Sequence, residues 1–271
     1  GYSSAASDVY KRQVPTQNLV DTYEMADGLT KEESGSYDPN HPFAGRDPRM
    51  AMTIIYPGMD WNGTVVNTLD KTINGKDNAN YPPSANNASK TALTWRKYLD
   101  EQYANGIWNT NACPIVIRYA EVLLTYAEAV NELSGPSADV YDKLDLIRGR
   151  VGMPKVDREK YASKETLRRL IRRERGVELA GEGVRRADIL RWKDDNGKMV
   201  AETVLNGVLE RVVGTVNYAE TDPTKRAEID TNAPATDKKI EDRVFKVHNR
   251  YNPIPQGAID NNPNLEQNPG Y

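Results

Sequence analysis

The sequence predicts a mainly α-helical protein in which a large loop-rich segment precedes helical hairpins, with a few short β segments. Apolar residues recur at three- and four-residue steps in the middle of the chain, which indicates amphipathic helices. The part before it is rich in Gly, Pro, Asn and Tyr without sustained periodicity, which is typical of loops. With 271 residues, of which 38% are hydrophobic and 28% charged, the chain can bury a core and fits the globular class.

Residues 14–111 form the loop-rich part. Asp38-Pro39-Asn40 and Tyr56-Pro57-Gly58 mark turns within it. Residues 50–56 and 95–99 are too apolar and aromatic for a solvated linker. We therefore expect ordered loops with short helices and strands rather than a flexible tether.

Residues 112–193 predict two helical hairpins. In the first hairpin a short break separates the two helices. Gly135-Pro136 ends the first helix, and Gly152 with Pro154 ends the second, because these residues interrupt a helix. Two helices joined by so short a break should pair antiparallel. The apolar residues are Tyr119, Val122, Leu123, Tyr126, Ala127, Val130 and Leu133 in the first helix, and Val140, Leu144, Ile147 and Val151 in the second.

The second hairpin begins at Ser163, whose hydroxyl can cap the first turn of a third helix that runs to about Gly181. A glycine break follows, and residues 184–193 predict a fourth helix. Stacked hairpins of this kind build a tetratricopeptide-like solenoid, although the loop at 154–162 lengthens the repeat beyond its standard spacing. The repeat is therefore degenerate.

The C-terminal part, residues 194–271, is irregular. Residues 208–216 and 243–248 predict short β segments. The polar stretch 221–239 lies between them and predicts an insertion.

Glutamates and arginines are densest in residues 170–185. The helical step places Glu174 and Glu178 on or beside an apolar stripe, so both carboxylates should be half-buried. A buried carboxylate must be paired, and arginine can bind one bidentately. We therefore expect a structural ion-pair network that locks helix to helix. Its expected members are Arg148, Arg150, Glu174, Arg175, Glu178, Glu182 and Arg185.

Catalysis is the alternative role for these carboxylates. Glycoside hydrolysis uses two of them, one as an acid and the other as a base or nucleophile. Surrounding arginines keep carboxylates ionised, however, whereas a general acid needs a raised pKa. The residues therefore favour a structural network over a glycoside hydrolase.

Composition argues against several other functions. A net charge of −3 provides no attraction to nucleic acid. The only two histidines, His41 and His248, are remote in sequence and have no metal-binding spacing, and a single cysteine cannot form a thiol-rich site. We expect no metal, no cofactor and no nucleic-acid partner. No apolar run is long enough to span a bilayer.

The end of the chain is a polar segment, punctuated by Pro and Gly, that core packing does not explain. Asn252-Pro253-Ile254-Pro255-Gln256 and the last ten residues, 262–271, resemble the C-terminus of the SusD/RagB-like proteins. Further blocks that resemble this family follow in the same order at residues 46–49, 118–124, 127–131, 146–152, 174–185 and 188–192.

The resemblance covers residues 14–271 and implies a helical α/α superhelix that binds glycans or, in some relatives, peptides. It implies a protein that is not an enzyme. The family caps a SusC-like TonB-dependent transporter at the cell surface, held on the outer membrane by an N-terminal lipid anchor. Residues 1–13 resemble no part of the family and are expected to be foreign sequence. The N-terminal half of the family, with its lipidated cysteine, has no counterpart in this sequence, so we expect a truncated chain.

A glycan site needs flat aromatic rings for the apolar faces of sugars and polar groups for their edges. The chain has 15 Tyr and 4 Trp against 2 Phe, a bias toward aromatics with a polar edge. Trp61, flanked by Gly58 and Gly63, is the first candidate. The other candidates are Tyr56, Asp60, Asn62, Tyr81 and Trp108. Each aromatic could instead pin a loop to the helical core.

A helical-repeat adaptor that binds peptides remains an alternative from another class. The loop-rich part and the Asn-Pro-Gly-Tyr terminus argue against it. Peptide capture by a RagB-type protein is the nearer alternative to glycan capture.

Overall fold

The computed structural model describes residues 14–82, 88–99, 101 and 115–271. The chain divides into two compact units. The first contains residues up to Gly183 together with Glu210–Ile240, and the second contains Val184–Leu209 and Glu241–Tyr271. The fold is mainly helical with a few short paired strands, in agreement with the predicted class.

The loop-rich part contains short helices and strands joined by turns, as the sequence predicts. Its described elements are α1 (Gln17–Thr22), α2 (Pro48–Thr53), β1 (Ile54–Ile55), β2 (Asp60–Trp61), β3 (Thr64–Val65), β4 (Thr72–Ile73), β5 (Lys76–Asp77) and β6 (Thr94–Trp95). β1 pairs with β6, β2 with β3, and β4 with β5, all antiparallel. The Asp47 carboxylate accepts from the Arg49 N–H and Pro48 follows it, so both residues favour the start of α2.

Three longer helices follow, namely α3 (Tyr119–Ser134), α4 (Ala138–Gly149) and α5 (Lys164–Glu178). The predicted stop after α3 is confirmed, because Gly135 takes a φ of 80° that favours glycine. The predicted cap of α5 is also confirmed, since Ser163 Oγ accepts from the Thr166 N–H at 3.1 Å. α5 ends before the predicted limit at Gly181, because Leu179 leaves the helical conformation.

The apolar residues of α3 divide between two faces. Leu124 and Ala127 are fully buried, and α3 packs against both α4 and α5. Tyr119 and Leu133, predicted on the same apolar pattern, are 70% and 86% exposed. The periodicity therefore identified the helix correctly but included side chains that this structure leaves on the surface.

The rest of the chain consists of short elements. These are α6 (Arg185–Arg191), α7 (Val200–Val204), β7 (Gly207–Glu210), β8 (Gly214–Val216), β9 (Ala227–Ile229), α8 (Ala235–Lys238), β10 (Lys239–Arg243), a 3-10 turn (Val247–Arg250) and α9 (Gln256–Asn261). β8 pairs antiparallel with β9, and β7 pairs with β10. The predicted helix at 184–193 and strands at 208–216 are confirmed. The predicted strand at 243–248 is wrong beyond Arg243, because the Asn249 side chain accepts from the Lys246 N–H at 2.8 Å and closes a turn.

The core of the first unit joins the loop-rich part to α5 and to the β8–β9 pair. Phe43 and Tyr56 are 1% and 2% exposed, and their rings stack with centroids 4.8 Å apart. Val177 of α5, Val216 of β8 and Ala227 of β9 pack in the same cluster. The loops are therefore held by burial of apolar surface, which is the main favourable contribution to folding. The second unit has its own small cluster of Ile189, Met199 and Ala201.

Candidate functional site

Trp61 lies at the end of strand β2, next to a tight turn. Its partner in the β2–β3 hairpin is Thr64, so Asn62 and Gly63 form the two-residue loop. These two residues have φ values of 49° and 73°, and an Asn-Gly pair adopts such values at little cost. The hairpin therefore places Trp61 at the end of its strand and Asn62 in the turn that follows.

Arg226 fixes the base of this hairpin. Its Nη1 donates to Asp60 Oδ1 at 2.7 Å and to the Gly58 carbonyl at 3.2 Å, and its Nε donates to the Glu220 carbonyl at 2.8 Å. Gly58 has a φ of 88°, and a Cβ added there would lie 2.8 Å from Arg226 Cβ. Glycine at 58 therefore permits the close approach of the two segments.

The Trp61 ring is partly buried, with Arg96 over it at 5.3 Å from the ring centroid. Arg96 also donates to the Ala51 carbonyl at 2.9 Å. We call Asp60, Trp61, Asn62, Arg96 and Arg226 the Trp61 surface. It combines one large aromatic ring with an amide, a carboxylate and two guanidinium groups. Such a set can contact the apolar face and the hydroxyl edges of a polyol at once.

The other aromatic candidates have different surroundings. Tyr56, predicted as a ligand-binding residue, is instead buried in the core against Phe43, and this burial raises the pKa of its hydroxyl to about 12. Tyr81 is half-buried, with Arg211 over its ring at 5.5 Å. Trp108 lies outside the described residues. Arg96 and Arg226 were missed, because their contacts with the hairpin span 35 and 166 positions, respectively, and no local pattern marks them.

Glu178 is the centre of the ion-pair network. Its carboxylate, 2% exposed, accepts from Arg49 at 3.2 Å, from Arg118 at 2.7 Å and from Arg150 at 3.0 Å. Arg49 is anchored by Asp47, and its side chain is only 4% exposed. Three cations from three parts of the chain therefore meet on one carboxylate at the end of α5.

Two further glutamates extend the network on either side. Glu174 accepts from Arg148 and, at 2.9 Å, from Arg49. Glu182 accepts from Arg118 at 2.7 Å and from Lys97 at 2.5 Å. The ion-pair network thus joins α5 to α2, to α4, and to the segment before α3 through charge-assisted hydrogen bonds.

Two of the expected members make other contacts. Arg175 donates to Thr125 at 3.0 Å and lies 3.9 Å from Glu121. Arg185 lies in the second unit with its guanidinium over the Trp192 ring. Arg49, Arg118 and Lys97 were not predicted from the sequence as members of the network. The Asp-Pro helix start at 47–48 was the one local signal near Arg49.

The network lowers the pKa of two of its carboxyl groups, those of Glu178 and Glu182. Burial alone would raise the pKa of Glu178, but hydrogen bonds and charges from its arginine partners lower it overall, and Glu182 is lowered in the same way. We expect the surrounding arginines to keep carboxyl pKa values low, but Glu24 is an exception. Burial raises the pKa of Glu24 although Arg148 and Arg173 lie 2.8 Å away. With 3% of its surface exposed, Glu24 does not face solvent.

We expect the free energy of unfolding to fall as the pH drops below about 4.5. The folded pKa values of Glu178 and Glu182 lie below the ordinary value of 4.5. Their contribution is therefore complete above that pH and is lost as the pH falls through the folded values. Urea unfolding between about pH 7 and pH 3 measures this, and Glu178→Gln should show a weaker dependence. A wild-type stability that stays constant or rises on acidification would contradict it.

Residues 2–271 match the model of the SusD family. The SusD-like protein P25 of Formosa agariphila is 34% identical over 154 residues, which are 53% of this chain and 29% of that protein. A SusD-like carbohydrate-binding protein from Bacteroides fragilis has a similar structure, with a TM-score of 0.72 and 32% identity. A second SusD-like protein from the same species gives a TM-score of 0.68 and 27% identity.

The two solved structures match most of this chain. The alignments cover 93% and 95% of it, but only 48% and 47% of the two Bacteroides chains. The chain therefore spans about half the length of the structures it matches.

Proposed function

Because this chain belongs to the SusD family, we propose that the protein binds glycans without cleaving them and passes them to a TonB-dependent transporter. The observation that carries this proposal is the 32% identity and TM-score of 0.72 to a SusD-like carbohydrate-binding protein. Since the match covers 48% of that protein, the proposal concerns the whole gene product that carries this chain.

The Trp61 surface supplies the chemistry that glycan binding requires. The part of the indole that Arg96 and the core leave exposed can contact the C–H face of a sugar ring, and burial of that face is favourable. Asn62, exposed beside it, can donate to and accept from hydroxyl groups, and Asp60 can accept from them. The ion pair from Arg226 to Asp60 holds the hairpin in place, which reduces the ordering cost of binding. Tyr81 and Trp108 stay as further candidates for a longer glycan.

Capture without cleavage fits the state of the carboxylates. Glu174, Glu178 and Glu182 have side chains that are no more than 4% exposed, and each is paired with cations. The lowered pKa values of Glu178 and Glu182 keep these two carboxylates ionised, and an ionised carboxylate is a poor proton donor to a leaving group. The proposed role of the network is structural.

The proposed site of action is the outer face of the outer membrane, where a lipid anchor would hold the gene product beside its SusC-like transporter. Among the described residues, no helix combines the length and apolar character needed to cross a bilayer. We also propose that α3, α4 and α5 stack as in tetratricopeptide repeats, because α3 packs against both α4 and α5. Cell fractionation with surface proteolysis tests the location, and a cytoplasmic protein would overturn it.

A glycan array tests the proposed function. The gene product that carries this chain, shown to be folded by circular dichroism, is expected to bind one class of polysaccharide. A peptide library run in parallel tests RagB-type capture. Binding of peptides without any glycan would replace the proposed ligand class, and binding of neither would overturn nutrient capture.

A further inference from the structure

Tyr98 holds an aromatic ring in a backbone conformation that tyrosine rarely adopts. Its φ is 71°, in the left-handed region. Leu99 N–H donates to the Arg96 carbonyl at 2.8 Å, so Tyr98 is the third residue of a tight turn. Gly or Asn usually fills a turn position with positive φ, and a bulky residue there is an outlier that costs stability.

Packing does not explain why a tyrosine is kept at this position. The residue is 41% exposed, whereas Ala92, another residue with positive φ, is 1% exposed in the core. Asn62 and Asn74, the remaining non-glycine cases among the described residues, are the residue type that hairpin turns favour. Strain at an exposed aromatic side chain points to a role in binding, because strained residues cluster at functional sites.

The groups around Tyr98 are polar and partly accessible. Lys97, its neighbour, donates to Glu182 at 2.5 Å, to the Glu178 carbonyl at 2.9 Å and to the Ala180 carbonyl at 3.1 Å. Arg118 donates to the same Glu182 carboxylate at 2.7 Å, so Tyr98 directly follows a lysine that shares its acceptor with Arg118. Partial burial and the charge of Glu182 raise the pKa of Tyr98, and Arg118 lowers it. The Lys97 ammonium uses all three of its N–H groups within the protein, whereas Arg118, 24% exposed, keeps one Nη1 N–H that can donate to a ligand.

We propose that Tyr98, with Arg118 at its edge, forms a second sugar-binding subsite that is separate from Trp61. This inference rests on the proposed glycan binding. One sugar ring stacks on the exposed tyrosine face, and one of its hydroxyl oxygens accepts from the Arg118 guanidinium. Arg96 directly precedes Lys97 and covers Trp61, so one short segment, 96–98, links the two ring sites and suits a glycan of several units.

Tyr98→Asn separates binding from folding, because asparagine tolerates positive φ but lacks the ring. We expect Tm to rise by about 2–4 °C through loss of strain. Affinity for the glycan identified by array should fall about tenfold in calorimetry. Tyr98→Phe keeps both ring and strain and should retain most of the affinity. Tyr126→Ala removes a tyrosine of similar exposure, 44%, on α3 and should leave affinity unchanged.

The outcomes distinguish this subsite from the proposed function. If the parent protein binds no glycan, the proposed function fails and the subsite fails with it. If the parent binds and Tyr98→Asn binds equally well, only the subsite is overturned. A fall in Tm for Tyr98→Asn would also overturn it, because the tyrosine would then be retained for packing.

Discussion

Replacing Glu178 with alanine is expected to destabilise the protein by about 3–5 kcal/mol. The carboxylate is almost fully buried and accepts from Arg49, Arg118 and Arg150. Arg150 is 56% exposed and can return to water, but the side chain of Arg49 is only 4% exposed and cannot. Removal of the acid therefore leaves a buried cation with fewer partners, which is the costly way to break a buried pair. Urea unfolding followed by circular dichroism measures the change.

Glu132→Ala is the matched control. Glu132 also pairs with an arginine of α5, Arg168, but its side chain is 38% exposed. An exposed pair contributes about 0–1 kcal/mol, so this variant should unfold close to the parent. Equal losses in Glu178→Ala and Glu132→Ala would show that burial of the network is not what stabilises the helices.

Replacing Trp61 with alanine is expected to weaken glycan binding about 30-fold, or ~2 kcal/mol, while the fold persists. The ring lies beside the hairpin tip, where loss of a stacking face removes binding energy directly. It also packs on the edge of the core, so a small loss of stability should accompany the change. Calorimetric titration measures affinity, and thermal unfolding measures the fold.

Trp61→Phe is the control for this site, because it keeps an aromatic face and should bind better than the alanine variant. Unchanged affinity in Trp61→Ala would remove Trp61 from the site. Loss of folding as large as in Glu178→Ala would show that Trp61 pins a loop rather than binds a ligand.

Local signals predicted the helices well. The glycine after α3 and the serine before α5 act through a few adjacent residues, and the sequence contains all of them. Contacts between residues far apart in sequence could not be predicted from such signals. Arg49 meets Glu174 across 125 positions and Arg226 meets Asp60 across 166, and no periodicity records such contacts. The resemblance to a family identified the blocks that carry Arg49 and Arg118 without saying what these residues touch.

Burial was the other property that residue type did not reveal. Tyr56 and Trp61 lie in one aromatic, Gly-punctuated stretch, and both are candidates for a ligand site, with Trp61 the first. The structure stacks Tyr56 on Phe43 inside the core and leaves Trp61 partly exposed at a hairpin tip. A tyrosine or tryptophan has both an apolar body and a polar group, so its sequence alone does not decide between packing and binding.

Calorimetric titration of the folded gene product with the glycan selected by array, followed by analysis of the same sample, tests glycan capture most directly. The expected result is saturable heat with the glycan recovered intact. Shortened glycan products would contradict capture without cleavage, and the absence of heat from every glycan would contradict carbohydrate binding itself.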